Sequence, residues 1–186
     1  MLRFLPVILL LLFLSCAPNP IHVIETFTTA HNGDDVAGQM DLLAENILFS
    51  CEGQWEKHGI GEVKGMLEWD AAIHSRYSFR DLNGEGETIR CLLVETNDWL
   101  ALMEVDSLSY VGCFTVREGK IFGLHTILTG PSYQRLMEKM DHFRPWSEEN
   151  FASEFEDVYR DGAWSFSAHN ARKWMSLITA WKNAQE

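Results

Sequence analysis

The chain has 186 residues, 46% hydrophobic and 12% aromatic, which is enough for a packed core in one domain plus extras and argues against disorder. Its formal net charge is −12, and no run rich in Lys or Arg interrupts the acidic average. Nucleic acid is bound through Lys and Arg that neutralise phosphates, so that class of partner is excluded.

Residues 1–15 read as an export signal. Arg3 supplies a short positive start, and Phe4 to Leu14 is an almost unbroken apolar stretch interrupted by Pro6. The stretch is too short to span a bilayer, which takes about twenty apolar residues. Leu12-Phe13-Leu14-Ser15-Cys16 resembles the lipobox of bacterial lipoproteins, in which the cysteine takes the lipid and becomes the new N-terminus. Phe13 is a less usual residue in that motif, and cleavage after Ala17 competes, because Ser15-x-Ala17 fits the small-x-small rule. Cys16 directly after the apolar run, with Ala17-Pro18-Asn19-Pro20 as a tether over residues 16–20, favours lipid attachment at Cys16. The resemblance implies a membrane partner through the N-terminal lipid. It places the protein in the envelope of a Gram-negative cell, on the outer membrane facing the periplasm. Several acyl chains, at about 0.8 kcal/mol per buried CH₂, hold such a protein without a transmembrane helix.

Val23, Ile24 and Phe27 form one face of a helix over Ile21–Ala30. Asp34 is suited to cap a second helix running to about Ala44, with Val36, Met40, Leu43 and Ala44 on one stripe. Ile47–Cys51 reads as a short strand, and a loop with Gly53, Trp55 and Gly59 follows. A third helix over Gly61–Ser75 carries Val63, Met66, Leu67, Ala71 and Ile73. Five strand-like runs come next: Tyr77–Leu82, Thr88–Thr96, Trp99–Leu108, Tyr110–Val116 and Ile121–Leu128. Asn83-Gly84-Glu85-Gly86, Asn97-Asp98 and Glu118-Gly119 punctuate them as hairpins. Helices first and a meander after is an α+β architecture, with helices covering one face of a strongly curved antiparallel sheet.

Three segments carry a resemblance. Phe27-Thr28-Thr29-Ala30-His31-Asn32-Gly33-Asp34, Leu42–Phe49 and Gly61-Glu62-Val63-Lys64-Gly65 look like the nuclear transport factor 2-like superfamily, closest to its SnoaL-like branch, and Glu118-Gly119-Lys120-Ile121 continues the likeness. The resemblance implies a cone-shaped domain over residues 21–129 with a pocket inside. Isomerases, dehydratases, cyclases and dimerising adaptors share this fold, so it does not name a function. A homodimer through the sheet face is common among them.

Residues 130–186 exceed that domain and read as a helical C-terminal extension packed on it. Pro131 suits the first turn of a helix carrying Tyr133, Leu136, Met137 and Met140, which Arg144-Pro145 should stop. Ser147 can cap a second helix with Phe151, Phe155, Val158 and Tyr159 on its apolar side, ended by Asp161-Gly162. A third, about Ser167 to Ala184, carries Ala171, Trp174, Met175, Ile178 and Trp181.

Without Cys16, the odd set Cys51, Cys91 and Cys113 cannot all pair, and structural thiols are the plainer reading beside one disulfide. His125 shares the parity of Ile121 and Ile127 in the last strand and should face the cone, where an imidazole could serve as general acid or base. Asp106 is its candidate partner. Glu104 and Asp106 are otherwise solvated carboxylates opposite the apolar face of Trp99, Ala101, Met103 and Val105. Trp55, Tyr77, Trp99 and His125 are the pocket candidates. His31 and His74 are further polar residues that read as surface positions at the ends of elements. Histidines are scattered, no cysteine pair has metal spacing, and no phosphate-cradling loop or dinucleotide fingerprint occurs, so metals and cofactors have no support. The first reading is a non-catalytic binding module for a small apolar ligand or protein partner; the alternative is a cofactor-free isomerase or dehydratase using acid/base residues inside the cone. An enzyme needs at least two convergent ionisable groups in one cavity with their pKa values pushed apart.

Overall fold

The computed structural model describes residues 19–185, so the export signal and Cys16 lie outside the described residues. α1 (Pro20–Asn32) begins with Asn19 accepting from the Ile21 amide, and it buries Val23, Ile24 and Phe27. α2 (Val36–Met40) is capped by Asp35, whose side chain accepts from Gly38 N. Asp34, the expected cap, instead takes a left-handed backbone (φ 57°) and pairs with Arg76. Leu43 and Ala44 were expected on that helix. They open β1 (Leu43–Cys51), where both are buried ahead of exposed Glu45 and Asn46. β2 (Trp55–His58), in the stretch expected to be a loop, returns along β1 and leads into α3 (Gly59–Ala72).

β3 (Arg76–Glu85), β4 (Thr88–Thr96), β5 (Leu108–Arg117) and β6 (Lys120–Thr129) complete a six-stranded sheet ordered β2-β1-β6-β5-β4-β3. Every neighbouring pair is antiparallel except β1 with β6, which is parallel. The run Trp99–Leu108 is no strand. It is α4 (Asp98–Leu102), capped by Asn97, followed by a turn. Leu100, Met103, Val105 and Leu108 are the buried residues there, and the first two are spaced by three, which the alternation of the sequence concealed. The chain is thus an α+β cone, with α1 and α3 laid against the concave side of a curved sheet.

The C-terminal segment forms α5 (Pro131–Asn150), α6 (Ala152–Val158), the hairpin β7 (Tyr159–Arg160) and β8 (Ala163–Trp164), and α7 (Ala168–Asn183). Pro145 does not stop α5, which runs through it, and Ser147 lies inside that helix and caps nothing. Asp161 and Gly162, with φ of 52° and 80°, make the hairpin turn, a conformation well suited to Asp-Gly. This layer shares one apolar cluster with α3 and α4, in which Phe143, Phe155, Trp174 and Ile178 pack with Trp69, Ile73, Leu100 and Met103. Gly65 on α3 marks the closeness of the approach, since a Cβ there would meet the Phe166 carbonyl oxygen at 2.7 Å. A second cluster fills the cone, built from Phe27, Phe49, Leu67, Ile89, Phe114 and Ile121 among others. Among the described residues, no helix is long and apolar enough to cross a membrane.

Candidate functional site

Between the two clusters a cavity of about 150 Å³ opens, walled by α3, the sheet and the C-terminal layer. A smaller cavity of about 50 Å³ continues deeper into the cone. Asp70, Tyr77, Glu95 and Tyr110 line both and form the neck between them. Each arrives there by the period of its own element. Asp70 sits on the α3 stripe of Val63, Met66 and Leu67 and is 9% exposed. Glu95 continues the inward parity of Ile89, Cys91 and Leu93 on β4, and Tyr110 that of Phe114 on β5. Tyr77 on β3 stands directly across from Glu95 in the register.

The two carboxyls are unequally served. Glu95 accepts three hydrogen bonds, from Tyr110 Oη at 2.8 Å, Asn97 Nδ2 at 2.8 Å and Ser75 Oγ at 3.1 Å. Asn97 is fixed in turn, because its Oδ1 caps α4 by accepting from Leu100 N at 2.8 Å. Asp70 has one partner, Tyr77 Oη, at 3.3 Å. Burial raises the pKa of both groups, and the charge of Glu95 lifts Asp70 further. Three donors oppose the rise at Glu95, and a single long one opposes it at Asp70. Of the two, Asp70 is therefore pushed up further and keeps its proton to the higher pH. Burial also pushes both tyrosines well above the ordinary phenol range, so both remain hydrogen-bond donors at neutral pH.

Tyr77 is held from behind. Asn32 at the end of α1 bonds its backbone twice, donating to Tyr77 O at 2.9 Å and accepting from Tyr77 N at 2.7 Å. The next residue back, His31, stacks on the phenol ring at a centroid distance of 3.7 Å and 12° between planes. Burial drives the His31 pKa down to about 4, so the ring is neutral, and its Nδ1 hydrogen is assigned to the bond with Gln39 Oε1 at 3.1 Å. His31 is thus a buried residue and not a surface one. His74 does lie at the surface, paired with Asp34. Cys51 lines the chamber, Cys91 is buried and Cys113 half-buried, and all three are free thiols. Burial raises the pKa of Cys51 and pushes Cys91 up to about 11, which leaves neither as a ready nucleophile.

Of the four pocket candidates, Trp55, Tyr77 and Trp99 line the chamber. His125 does not. The register slips by one residue between Thr115 and Val116 opposite Gly123 and Ile121, so Ile121, Leu124 and Thr126 face inward and His125 faces out. Its side chain is 49% exposed, with Ser50 Oγ at 2.9 Å from Nδ1 and Glu52 at 3.7 Å from Nε2. Asp106 is exposed in the turn after α4, and no hydrogen bond or ion pair joins it to His125 among the described residues. Glu104 is solvated and pairs with Lys139 and Lys182. The His125–Asp106 dyad is not formed. The dyad in the cavity is Asp70–Glu95, and the readable signal was a carboxylate sitting on an apolar parity. Among the described residues, no group of three or more His, Cys, Asp or Glu is placed to hold a metal ion.

No family model and no curated protein matches the sequence. Solved structures match its fold. An LEH-like epoxide hydrolase of M. tuberculosis aligns at 12% identity and a TM-score of 0.54, over 69% of this chain and 96% of its own. The epoxide hydrolase/cyclase-like enzyme SalBIII, which acts in pyran ring formation in salinomycin, aligns at 16% and 0.54, over 59% and 90%. A nuclear transport factor 2-like protein of unknown function from Cytophaga hutchinsonii aligns at 14% and 0.50, over 60% and 90%. At such identities the likeness concerns the fold and not the chemistry. The chain has the cone fold of the nuclear transport factor 2-like proteins.

Proposed function

We propose that this protein is a cofactor-free acid–base enzyme that moves a proton on a small, largely apolar molecule held in the cone. One observation carries the reading: Asp70 and Glu95 line a single cavity with unequal partners, so that one is an acid and the other a base. The Glu95 carboxylate accepts a proton from a substrate carbon beside a carbonyl. Asp70, still protonated, hydrogen-bonds the oxygen on which charge develops, or gives its proton to a departing hydroxide, and Tyr77 donates alongside it. In an isomerisation Glu95 returns the proton to a different carbon, and in a dehydration water leaves with the proton from Asp70 while Glu95 sheds its own to solvent. A passive binding module would need few ionisable groups at its neck, whereas four converge there.

The test is solvent exchange. A panel of small cyclic ketones, hydroxy ketones and ring-bearing keto acids is incubated with the full-length protein in D₂O, and deuterium at the α-carbon is read by NMR. Wild type should accelerate exchange for at least one of them, and Glu95→Gln should slow it by about 10²–10⁴-fold. Binding without exchange, or equal rates in the two proteins, returns the protein to the binding-module reading.

We also propose that the domain is tethered to the envelope through a lipid on Cys16, on the strength of the lipobox-like residues that precede it. Metabolic labelling with a fatty-acid analogue should tag the wild type and not Cys16→Ser. Equal labelling would contradict the tether.

A further inference from the structure

We infer that the occupant of the outer chamber is a small ring-bearing carboxylate whose charge is held by Arg144. The inference names the substrate class for the acid–base reading and rests on that reading only for what happens at the other end of the ligand. Among the described residues that line the chamber, Arg144 is the one cation. No carboxylate of the described residues forms an ion pair with it, and its Nε is buried without a hydrogen-bond partner. A guanidinium keeps its charge at any ordinary pH, so a buried donor left without a partner is an unfavourable arrangement that an anion would relieve.

The guanidinium is also held in place. Its Cζ lies 4.9 Å from the Tyr159 ring centroid, a cation–π contact that orients the planar fork before any ligand arrives. Gln54 and Tyr133, two further polar residues of the outer wall, are bonded to one another at 2.9 Å. The remaining outer wall is largely aromatic and apolar, with Trp69, Trp99 and Trp164 among its residues. A cavity of about 150 Å³ suits a single ring, since an apolar cavity of that size takes up benzene.

The ligand's direction follows from the linings. The inner cavity is bounded by Asp70 and Glu95 and not by Arg144, which belongs to the outer chamber alone. A carboxylate on Arg144 therefore sits in the outer chamber, and the ring carries the reacting carbon toward the neck. This polarity also separates the ligand's charge from the charge on Glu95. Arg144 lies in the C-terminal layer, so that layer would select the ligand as well as cover the cone.

The experiment is a titration of the full-length protein, followed through the tryptophan indole N–H signals in NMR. Benzoate and cyclohexanecarboxylate are compared with their neutral amides. At least one acid should bind ten-fold or more tighter than its amide to the wild type. Arg144→Gln should level the pair, and Arg144→Lys, which keeps a point charge, should retain part of the preference. Should Arg144→Gln fail to fold, the wild-type ratio and the Arg144→Lys variant decide. Acids that bind no better than amides, including no binding by either, overturn the inference, as does a preference that survives Arg144→Gln. Glu95→Gln keeps the preference if the anion site is real. An Arg144-dependent preference without deuterium exchange would uphold the anion site and sink the acid–base reading, and exchange without the preference would do the reverse.

Discussion

The two faces of the six-stranded sheet come from the same strands, one residue apart, yet they treat polar groups in opposite ways. On the inner face, Glu95 and Tyr110 follow buried Ile89, Leu93 and Phe114 into a closed neck, where removal from water raises the pKa of each. On the outer face, Leu48, Leu92, Val111 and Ile127 stay 38–43% exposed, and the imidazole of His125 stands half in water among them. Residue type alone would rank the histidine as the better acid–base group. Location reverses the ranking, because perturbed titration comes from burial and from partners, and the strand register decides which residues obtain them.

The contrast can be broken first by packing. Phe114 on the inner face is fully buried, so Phe114→Ala should cost about 3–5 kcal/mol of stability, measured by urea unfolding. Val111→Ala, three residues earlier on the outer face, should stay within about 0.5 kcal/mol. Similar losses for the two would mean that the outer face is covered too.

A somewhat smaller effect concerns His31, the neutral ring behind Tyr77. Its pKa falls from 6.5 unfolded to about 4 folded, so the folded chain resists a proton that the unfolded chain accepts. The associated stability is fully present above about pH 6.5 and is lost as pH falls toward 4, amounting to on the order of 3 kcal/mol. His31→Phe keeps a ring against Tyr77 and removes the titration. Its stability relative to wild type should therefore improve steadily between pH 7 and pH 4.5, whereas parallel curves would contradict the burial of a neutral His31. Smallest of all, His125→Ala should change stability by less than about 0.5 kcal/mol and leave deuterium exchange at the wild-type rate. A loss of exchange would return His125 to the site.

Much of the fold could be read from local pattern. Thr88–Thr96 is a strand over that range, and the helix expected at about Ser167 to Ala184 is α7, Ala168–Asn183. The misreadings have physical causes. Trp99–Val105 alternates like a strand, but Asn97 offers a helix cap, and tertiary packing selected the helix. Leu43 fits a helical stripe as well as a strand face, and pairing with Ile121 of β6 settled it as strand. His125 was misplaced by one register slip, which no residue type announces. Asp70 and Glu95 were visible in principle. Asp70 lies seven residues after Val63 on the α3 stripe, and Glu95 lies on the apolar parity of β4. A charged residue on an apolar face is the signal to weigh above a lone histidine. Arg144 gave no such signal, because Arg144-Pro145 reads as a helix stop and the helix continues through it.

The most direct measurement is the titration of the Asp70 and Glu95 side-chain carboxyl carbons by NMR in the full-length protein. The account predicts that Asp70 gives up its proton well above the ordinary carboxylate range, that Glu95 does so at a lower pH than Asp70, and that Glu95→Gln brings Asp70 down. Two carboxyls that both titrate in the ordinary range, with neither responding to replacement of the other, would contradict it.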